Sequence, residues 1–118
     1  VYKRQQQDRI IQIDRAQIEQ VLINLIKNAM EACGKKQHPR IDIKVVPGFA
    51  WQCLITVSDN GDGILPDVQD KIFVPFFSTK PNGSGIGLSL CKQIMNRHGG
   101  NITVQSVTGQ GCSFTLEF

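Results

Sequence analysis

The glycine-dense stretch Gly83–Ser89, which reads GSGIGLS, leads directly into an apolar-periodic segment near the end of the chain. Glycines ahead of a helix allow several backbone N–H groups to converge on one anion, and the helix dipole favours negative charge there. Alone, such a stretch is a weak indication of a phosphate site. It gains weight here because a segment carrying Asn24 and Asn28 and the turn Asp59–Gly63, which reads DNGDG, lie upstream of it.

The length and composition are those of one compact domain. The chain has 118 residues, of which 41% are hydrophobic and 19% charged, with a formal net charge of +3. Its basic residues are scattered, whereas nucleic-acid-binding domains cluster them on one face, so we expect no nucleic-acid partner. No apolar run reaches the roughly 18 residues of a membrane span, so we expect no direct membrane contact by this domain. Because the chain begins with Val1 and not Met, we expect a single domain over residues 1–118 that is a fragment of a longer chain.

The four cysteines indicate reduced, structural thiols. They form no C-x-x-C pair and no spacing typical of metal ligands. Each lies in or beside an apolar run, where a reduced thiol behaves as a small hydrophobic side chain. We therefore expect a reducing compartment and a cytoplasmic location.

Hydrophobic periodicity and turn residues predict five strands and three helices. Asp14 is expected to cap the first helix, with Gln17 completing a capping box, and Gly99-Gly100 to end the last one. The fold class is therefore α/β (α+β): a two-layer sandwich in which a mixed, largely antiparallel five-stranded sheet is covered on one face by about three helices. The expected strands span residues 9–13, 41–46, 51–57, 101–107 and 112–118, and the expected helices span residues 15–33, 67–72 and 86–98.

Two polar groups could carry chemistry. Asn24 and Asn28 are four residues apart, so their side chains share one helix face, and amide oxygens suit Mg²⁺; the alternative is a polar face without a function. Asp59 follows an apolar strand, and its carboxylate could accept a hydrogen bond from an exocyclic amine, while Gly61 and Gly63 would let the backbone approach a flat ligand. The alternative for this second group is an ordinary hairpin-like turn.

Taken in order, these segments resemble the catalytic, ATP-binding domain of two-component sensor histidine kinases, within the GHKL superfamily. The resemblance covers nearly the whole chain. The short loop between Phe77 and Gly83 is similar to that of the nitrogen-regulation branch, which has a compact lid. The matching segments are Asn24–Ala29 for the asparagine box, Asp59–Ile64 for the first glycine box, Phe73–Lys80 for the phenylalanine box, Gly83–Leu88 for the second glycine box and Gly109–Gly111 for the terminal glycine pair.

The resemblance implies a role for each matching residue. Asn28 would hold Mg²⁺, Asn24 would support the phosphate side, Asp59 would bind the adenine amino group and Lys80 would be a lid cation. The implied catalytic residues are Asn24 and Asn28, and the implied metal ligand is Asn28. The implied ATP-binding residues are Asn24, Asn28, Asp59, Gly61, Gly63, Ile64, Phe77, Lys80, Gly83, Ser84, Gly85, Ile86, Gly87 and Leu88.

Two residues depart from the family pattern. Glu31 stands where many members carry a basic residue near the phosphates, so a lid lysine would have to compensate. Cys112 follows Gly111 where relatives often have Thr or Ser, which bears on a water-mediated contact to adenine.

Asn24 also bears on the type of reaction. ATPases that resemble this chain, such as gyrase, place a glutamate at this position as the general base for water, and an amide cannot accept a proton at neutral pH. Neither His38 nor His98 precedes the acidic residue typical of a phosphoacceptor motif. The resemblance therefore implies a kinase that binds ATP and Mg²⁺ and donates the γ-phosphoryl group to a histidine on the dimerisation domain of the same protein. A response regulator would act downstream, and the isolated domain would not autophosphorylate. The resemblance leaves open whether the parent protein is anchored in a bacterial inner membrane. The alternatives are a GHKL-type ATPase and a non-catalytic ATP-sensing module.

Overall fold

Four antiparallel strands and three helices form two layers in the computed structural model, which describes residues 14–47, 52–77 and 87–118. The predicted α/β sandwich is confirmed in this part of the chain, while the strand expected over residues 9–13 lies outside it. Within these ranges no helix is long and apolar enough to cross a membrane. The elements are α1 (Arg15–Ala32), β1 (Ile41–Pro47), β2 (Cys53–Asp59), α2 (Pro66–Gln69), α3 (Gly87–Arg97), β3 (Asn101–Val107) and β4 (Gly111–Glu117).

The sheet has the strand order β1-β2-β4-β3, and its two faces differ in chemistry. Val57 pairs with Phe114 across β2 and β4, and both are buried beneath the helices. Their neighbours Ser58 and Ser113 also pair, with the two hydroxyl oxygens 2.8 Å apart. Because successive strand residues point to opposite faces, this alternation buries an apolar face beneath the helices. The opposite face is rich in hydroxyl groups and is not covered by any helix of the described residues; we call it the uncovered face.

The helix α1 has the predicted cap at Asp14, but the Asp14 backbone N–H donates to His98 Nε2 and not to the Gln17 side chain, so the predicted capping box forms only in part. The Asp14 carboxylate accepts a hydrogen bond from the Gln17 backbone N–H at 3.1 Å, which satisfies one of the free N–H groups of the first turn. Its buried stripe recurs at helical spacing and packs on β2 and α3. The stripe consists of Ile18, Val21, Leu25 and Ala29.

The last turn of α3 is held to the start of α1. Gly99 has a positive φ of 72°, and the Gly100 N–H bonds the Met95 carbonyl at 2.9 Å, so the helix ends in the left-handed turn that glycine favours. His98 Nδ1 lies 2.8 Å from the Ile94 carbonyl oxygen, and Nε2 accepts a hydrogen bond from the Asp14 backbone N–H at 2.9 Å. Both ring nitrogens are therefore occupied by backbone groups, with the proton on Nδ1.

Two predicted elements, the second strand and the second helix, differ from the structure by two residues or more at one end at least, for identifiable reasons. Strand β2 spans Cys53–Asp59 where residues 51–57 were expected, because Asp59 pairs with both Ile41 and Cys112 in the ladder. The helix expected over residues 67–72 is only the four-residue α2, which starts at Pro66 without a side-chain cap and gives way to turns.

Candidate nucleotide-binding site

Asn24 connects α1 to the first residue of α3. Its Nδ2 donates a hydrogen bond to the Gly87 carbonyl at 3.3 Å and makes a longer one, of 3.8 Å, to Cys91 Sγ. Its Oδ1 accepts from Gln20 Nε2 at 3.0 Å. The structure therefore brings the predicted asparagine box against the end of the second glycine box, with Gln20 fixing the orientation of the amide. Sequence reasoning did not assign a role to Gln20.

Asn28 lies one turn further along α1 and is half-buried on the same side of the helix as Asn24. Within the described residues no group of three or more His, Cys, Asp or Glu side chains could hold a metal ion. Mg²⁺ beside phosphates is usually held by one or two protein side chains together with phosphate oxygens and water, and Asn28 could supply one such ligand. Glu31, the residue that departs from the family pattern, is exposed near the end of this helix.

Asp59 ends β2 with its carboxylate held by backbone donors. Oδ1 accepts from the Gly61 N–H at 2.8 Å, and the backbone of Cys112 supplies another hydrogen bond. Burial raises the pKa of this carboxyl above its ordinary value, and the two backbone hydrogen bonds offset part of that rise because they favour the charged form. The group is thus a partly desolvated acceptor fixed in one orientation.

The glycine turn after Asp59 packs tightly against α1. It does not form a hairpin, because β2 pairs with β1 and β4, and the turn leads into the helix α2. A Cβ on Gly61 would lie 2.5 Å from the Ala32 carbonyl oxygen. Gly63 has a positive φ of 78°, a conformation that glycine adopts without strain. The alternative interpretation of this turn is therefore wrong, and both glycines serve close approach of backbone segments.

Asn60 supports the turn from the other side. Its Nδ2 donates to the His38 carbonyl, and its Oδ1 accepts from the Arg40 backbone N–H, both at 2.8 Å. The side chain therefore anchors the segment ahead of β1 and does not face a ligand. The sequence offered no signal for this role, because Asn is common in turns whatever it contacts.

Ser106 links the glycine turn to the β3–β4 hairpin. Its Oγ accepts from the Ile64 N–H at 2.6 Å and donates to the Gly111 carbonyl at 3.1 Å. Gln69 adds a bond from its Nε2 to the Ile64 carbonyl at 3.2 Å. Sequence reasoning did not identify Ser106. The available signal was that Ser106 falls on the same face of β3 as the apolar Ile102 and Val104.

Cys112 and Cys91 are unreactive thiols at the edges of this site. Burial, with a smaller contribution from the charge of Asp59, raises the pKa of Cys112 to about 12. Burial raises the pKa of Cys91 to about 11. Both are protonated at neutral pH, so Cys112 offers a weak S–H donor where relatives often carry a hydroxyl.

The three phenylalanines of the predicted box have different environments. Phe73 packs edge-on against Phe114, with ring centroids 6.3 Å apart, and Lys92 Nζ lies 5.7 Å from its centroid. Phe77 is half-buried against the core. Phe76 is 78% exposed and has a positive φ of 69°, which is uncommon for a bulky residue. Two of the three therefore belong to the core, and the third projects into solvent.

The remaining predicted residues divide into two groups. Leu88 is half-buried against the core and Gly87 begins α3. The others lie outside the described residues: Lys80, Gly83, Ser84, Gly85 and Ile86.

An open depression of about 430 Å³ beside Asp59 is lined by residues 105–107 and 110–113. It includes Gln105 and Ser113 from the uncovered face of the sheet, so we do not assign it to the nucleotide.

Comparison with known proteins identifies relatives of this chain. Residues 13–118 match the family described as histidine kinase-, DNA gyrase B-, and HSP90-like ATPase. The sensor histidine kinase ZraS of Salmonella typhimurium is 41% identical over 106 residues, which are 90% of this chain and 22% of that protein. The signal transduction histidine-protein kinase AtoS of Escherichia coli is 41% identical over 111 residues, which are 90% of this chain and 17% of that protein.

A solved structure agrees with these matches. The catalytic domain of histidine kinase ThkA superposes with a TM-score of 0.78 at 36% identity, covering 92% of this chain and 70% of that one. The chain spans about one fifth of the length of ZraS and AtoS. It therefore belongs to the family of histidine kinase-, DNA gyrase B- and HSP90-like ATPases, and it is homologous to the catalytic domains of sensor histidine kinases.

Proposed function

We propose that this chain is the catalytic domain of a sensor histidine kinase, which binds Mg-ATP and donates the γ-phosphoryl group to a histidine on a phosphoacceptor domain of the same protein. The observation that carries the proposal is the amide at Asn24, with its oxygen bonded to Gln20 and its nitrogen to the Gly87 carbonyl. A general base is worth roughly 10² to 10⁴ in rate, or about 3 to 5 kcal/mol of barrier. An amide at this position therefore favours transfer to a nucleophile over hydrolysis.

ATP recognition is proposed to rest on Asp59 and Asn28. The carboxylate of Asp59 is a fixed acceptor for the adenine amine, and family membership supports ATP as the nucleotide. Mg²⁺, held by Asn28 and phosphate oxygens, would neutralise charge on the phosphates. The protein's own contribution is to orient the nucleotide, because phosphoryl transfer needs positioning more than covalent help.

The acceptor histidine is proposed to come from another domain. His98 has both ring nitrogens engaged by backbone groups of α3 and Asp14, so it is not free to act as a nucleophile. His38 is followed by a proline and not by an acidic residue. The relatives ZraS and AtoS are several times longer than this chain, which supports a phosphoacceptor domain elsewhere in the protein. We further propose that a response regulator receives the phosphoryl group and that the domain works in the cytoplasm.

The test is a transfer assay with γ-labelled ATP. The domain is mixed with the phosphoacceptor domain of its own protein, and we expect acid-labile label on the partner's histidine and none on this domain alone. Asn28→Ala should abolish the transfer while circular dichroism shows an intact fold. Rapid release of phosphate by the domain alone would instead identify an ATPase. Nucleotide binding without transfer would identify an ATP-sensing module, and either outcome refutes the kinase proposal.

A further inference from the structure

We propose that Ser106 is a positioning residue that sets the preference for adenine, by holding the glycine turn and the β3–β4 hairpin at a fixed separation. The inference rests on the proposed ATP-binding function. It concerns a residue outside the segments that resemble the family's boxes. Ser106 is not itself one of the proposed nucleotide ligands; it acts through Ile64, which is one of them, and through Gly111 and Asp59.

The hydroxyl of Ser106 serves as donor and acceptor at once. It accepts the Ile64 N–H at 2.6 Å and donates to the Gly111 carbonyl at 3.1 Å, joining segments 42 and 5 residues away. A hydroxyl can do both because it has one proton and two lone pairs. Alanine would leave the Ile64 N–H and the Gly111 carbonyl without this shared partner.

The glycine turn approaches the β3–β4 hairpin closely beside Ser106. A Cβ on Gly63 would lie 2.6 Å from the Val107 carbonyl oxygen and 2.9 Å from the Ser106 hydroxyl. The Gly109 N–H bonds the Asp62 carbonyl at 2.6 Å, so the tip of the hairpin also meets the turn. The glycine turn and the hairpin thus lie close to each other at Gly63 and Gly109, and the Ser106 hydroxyl connects them at Ile64.

Asp59 depends on both of the segments that Ser106 joins. Its carboxylate takes one hydrogen bond from Gly61, in the turn, and another from the backbone of Cys112, in the hairpin strand. If the segments separate, these two donors move apart and the carboxylate loses its fixed orientation. Recognition of an exocyclic amine should therefore weaken, while contacts to the triphosphate should change little.

Ser58→Ala is a matched control. The Ser58 hydroxyl also makes a short side-chain hydrogen bond, to Ser113 at 2.8 Å, and it is half-buried like that of Ser106. It lies next to Asp59 in sequence but on the uncovered face of the sheet. Both substitutions remove one hydroxyl group, so a general loss of hydrogen bonding affects both variants alike.

The experiment compares binding of ATP with binding of inosine triphosphate, which carries a carbonyl in place of the adenine amine. We expect the wild-type protein to prefer ATP. Ser106→Ala should raise the Kd for ATP about tenfold, the net value of about one hydrogen bond, and change the Kd for inosine triphosphate less than about twofold. Ser58→Ala should leave both constants within about twofold of the wild type.

If Ser106→Ala leaves the ratio of the Kd for inosine triphosphate to the Kd for ATP unchanged, the proposal is overturned. Such a result, even with a lowered melting temperature, shows a purely structural role. Failure of the wild-type protein to bind ATP overturns the proposed function itself, a distinguishable result. If Ser106→Ala does not fold, Ser106→Cys, which keeps the size with a weaker donor and acceptor, should show the same loss of preference. Faster hydrogen exchange at the Ile64 amide in either folded variant would report the lost contact, and unchanged exchange would contradict it.

Discussion

Gly61→Ala tests whether the end of α1 sets the position of the glycine turn. Gly61 is buried and its φ lies outside the left-handed region, so alanine meets no backbone strain there. The added Cβ would lie 2.5 Å from the Ala32 carbonyl oxygen, whereas real Cβ contacts essentially never fall below 3.0 Å. The turn and the helix end must therefore separate by about 0.5 Å, the difference of these distances.

Overpacking of this kind costs about 1 to 3 kcal/mol of the free energy of unfolding. At about 4 °C per kcal/mol for a domain of this size, the melting temperature should fall by about 4 to 12 °C. ATP affinity should fall as well. The helix α1 carries Asn24 and Asn28 and the turn adjoins Asp59, so the separation moves these proposed nucleotide ligands apart. Thermal denaturation and calorimetric titration with Mg-ATP measure the two effects.

Gly87→Ala is the control for stability. It makes the same chemical change at the start of α3, where an added Cβ meets nothing within 4 Å. We expect it to raise the free energy of unfolding by about 0.4 to 1 kcal/mol, since alanine loses less backbone entropy on folding. If Gly61→Ala is as stable as Gly87→Ala, the close approach to Ala32 does not constrain the turn and the reasoning is refuted.

Three further predictions concern the core, the buried carboxylate and the thiols. Leu25→Ala, at a side chain 1% exposed, should lower the free energy of unfolding measured by urea denaturation by about 2 to 5 kcal/mol. Ile23→Ala, at 51% exposure, should change it by no more than about 0.5 kcal/mol, and equal losses in the two variants would place the core elsewhere. Because burial raises the pKa of Asp59 above 3.8, protonation stabilises the fold in acid, and this contribution is lost as pH rises through the folded-state pKa. The free energy of unfolding of the wild type minus that of Asp59→Asn should therefore increase on acidification toward pH 3.8, and a difference independent of pH would contradict the assignment. Iodoacetamide should modify the half-exposed Cys53 first and spare Cys112, whose pKa is about 12, until the protein unfolds; early mass shifts on Cys112 would show that its burial is wrong.

Local sequence signals predict the elements whose ends are fixed by local contacts. The cap at Asp14 and the glycines after α3 act within a few residues, so the bounds of α1 and α3 are close to those predicted. Strand β3 has the predicted bounds of Asn101–Val107. By contrast, Asp59 belongs to β2 because of pairing with Ile41 and Cys112, and such non-local pairing leaves no mark in the adjacent sequence.

The contacts that support the candidate site are likewise partly local and partly non-local. The sequence singled out Asn24, Asn28 and Asp59. Gln20 and Gly61 hold Asn24 and Asp59 through local contacts, but other supporting contacts come from distant parts of the chain. Gly87 meets Asn24 across 63 positions, and Ser106 meets Ile64 across 42. A serine inside a strand predicts neither a partner nor a direction of hydrogen bonding, so this support could be recognised only in the folded chain.

The distribution of the thiols provides a native attachment point for a spectroscopic probe. Cys53 is half-exposed, whereas Cys33, Cys91 and Cys112 are buried. Cys53 and Asp59 occupy opposite ends of β2, six residues apart, or about 20 Å at about 3.3 Å per residue. A maleimide dye at Cys53 would therefore lie within energy-transfer range of a fluorescent nucleotide beside Asp59. Nucleotide arrival could then be followed in the unmutated protein, one molecule at a time.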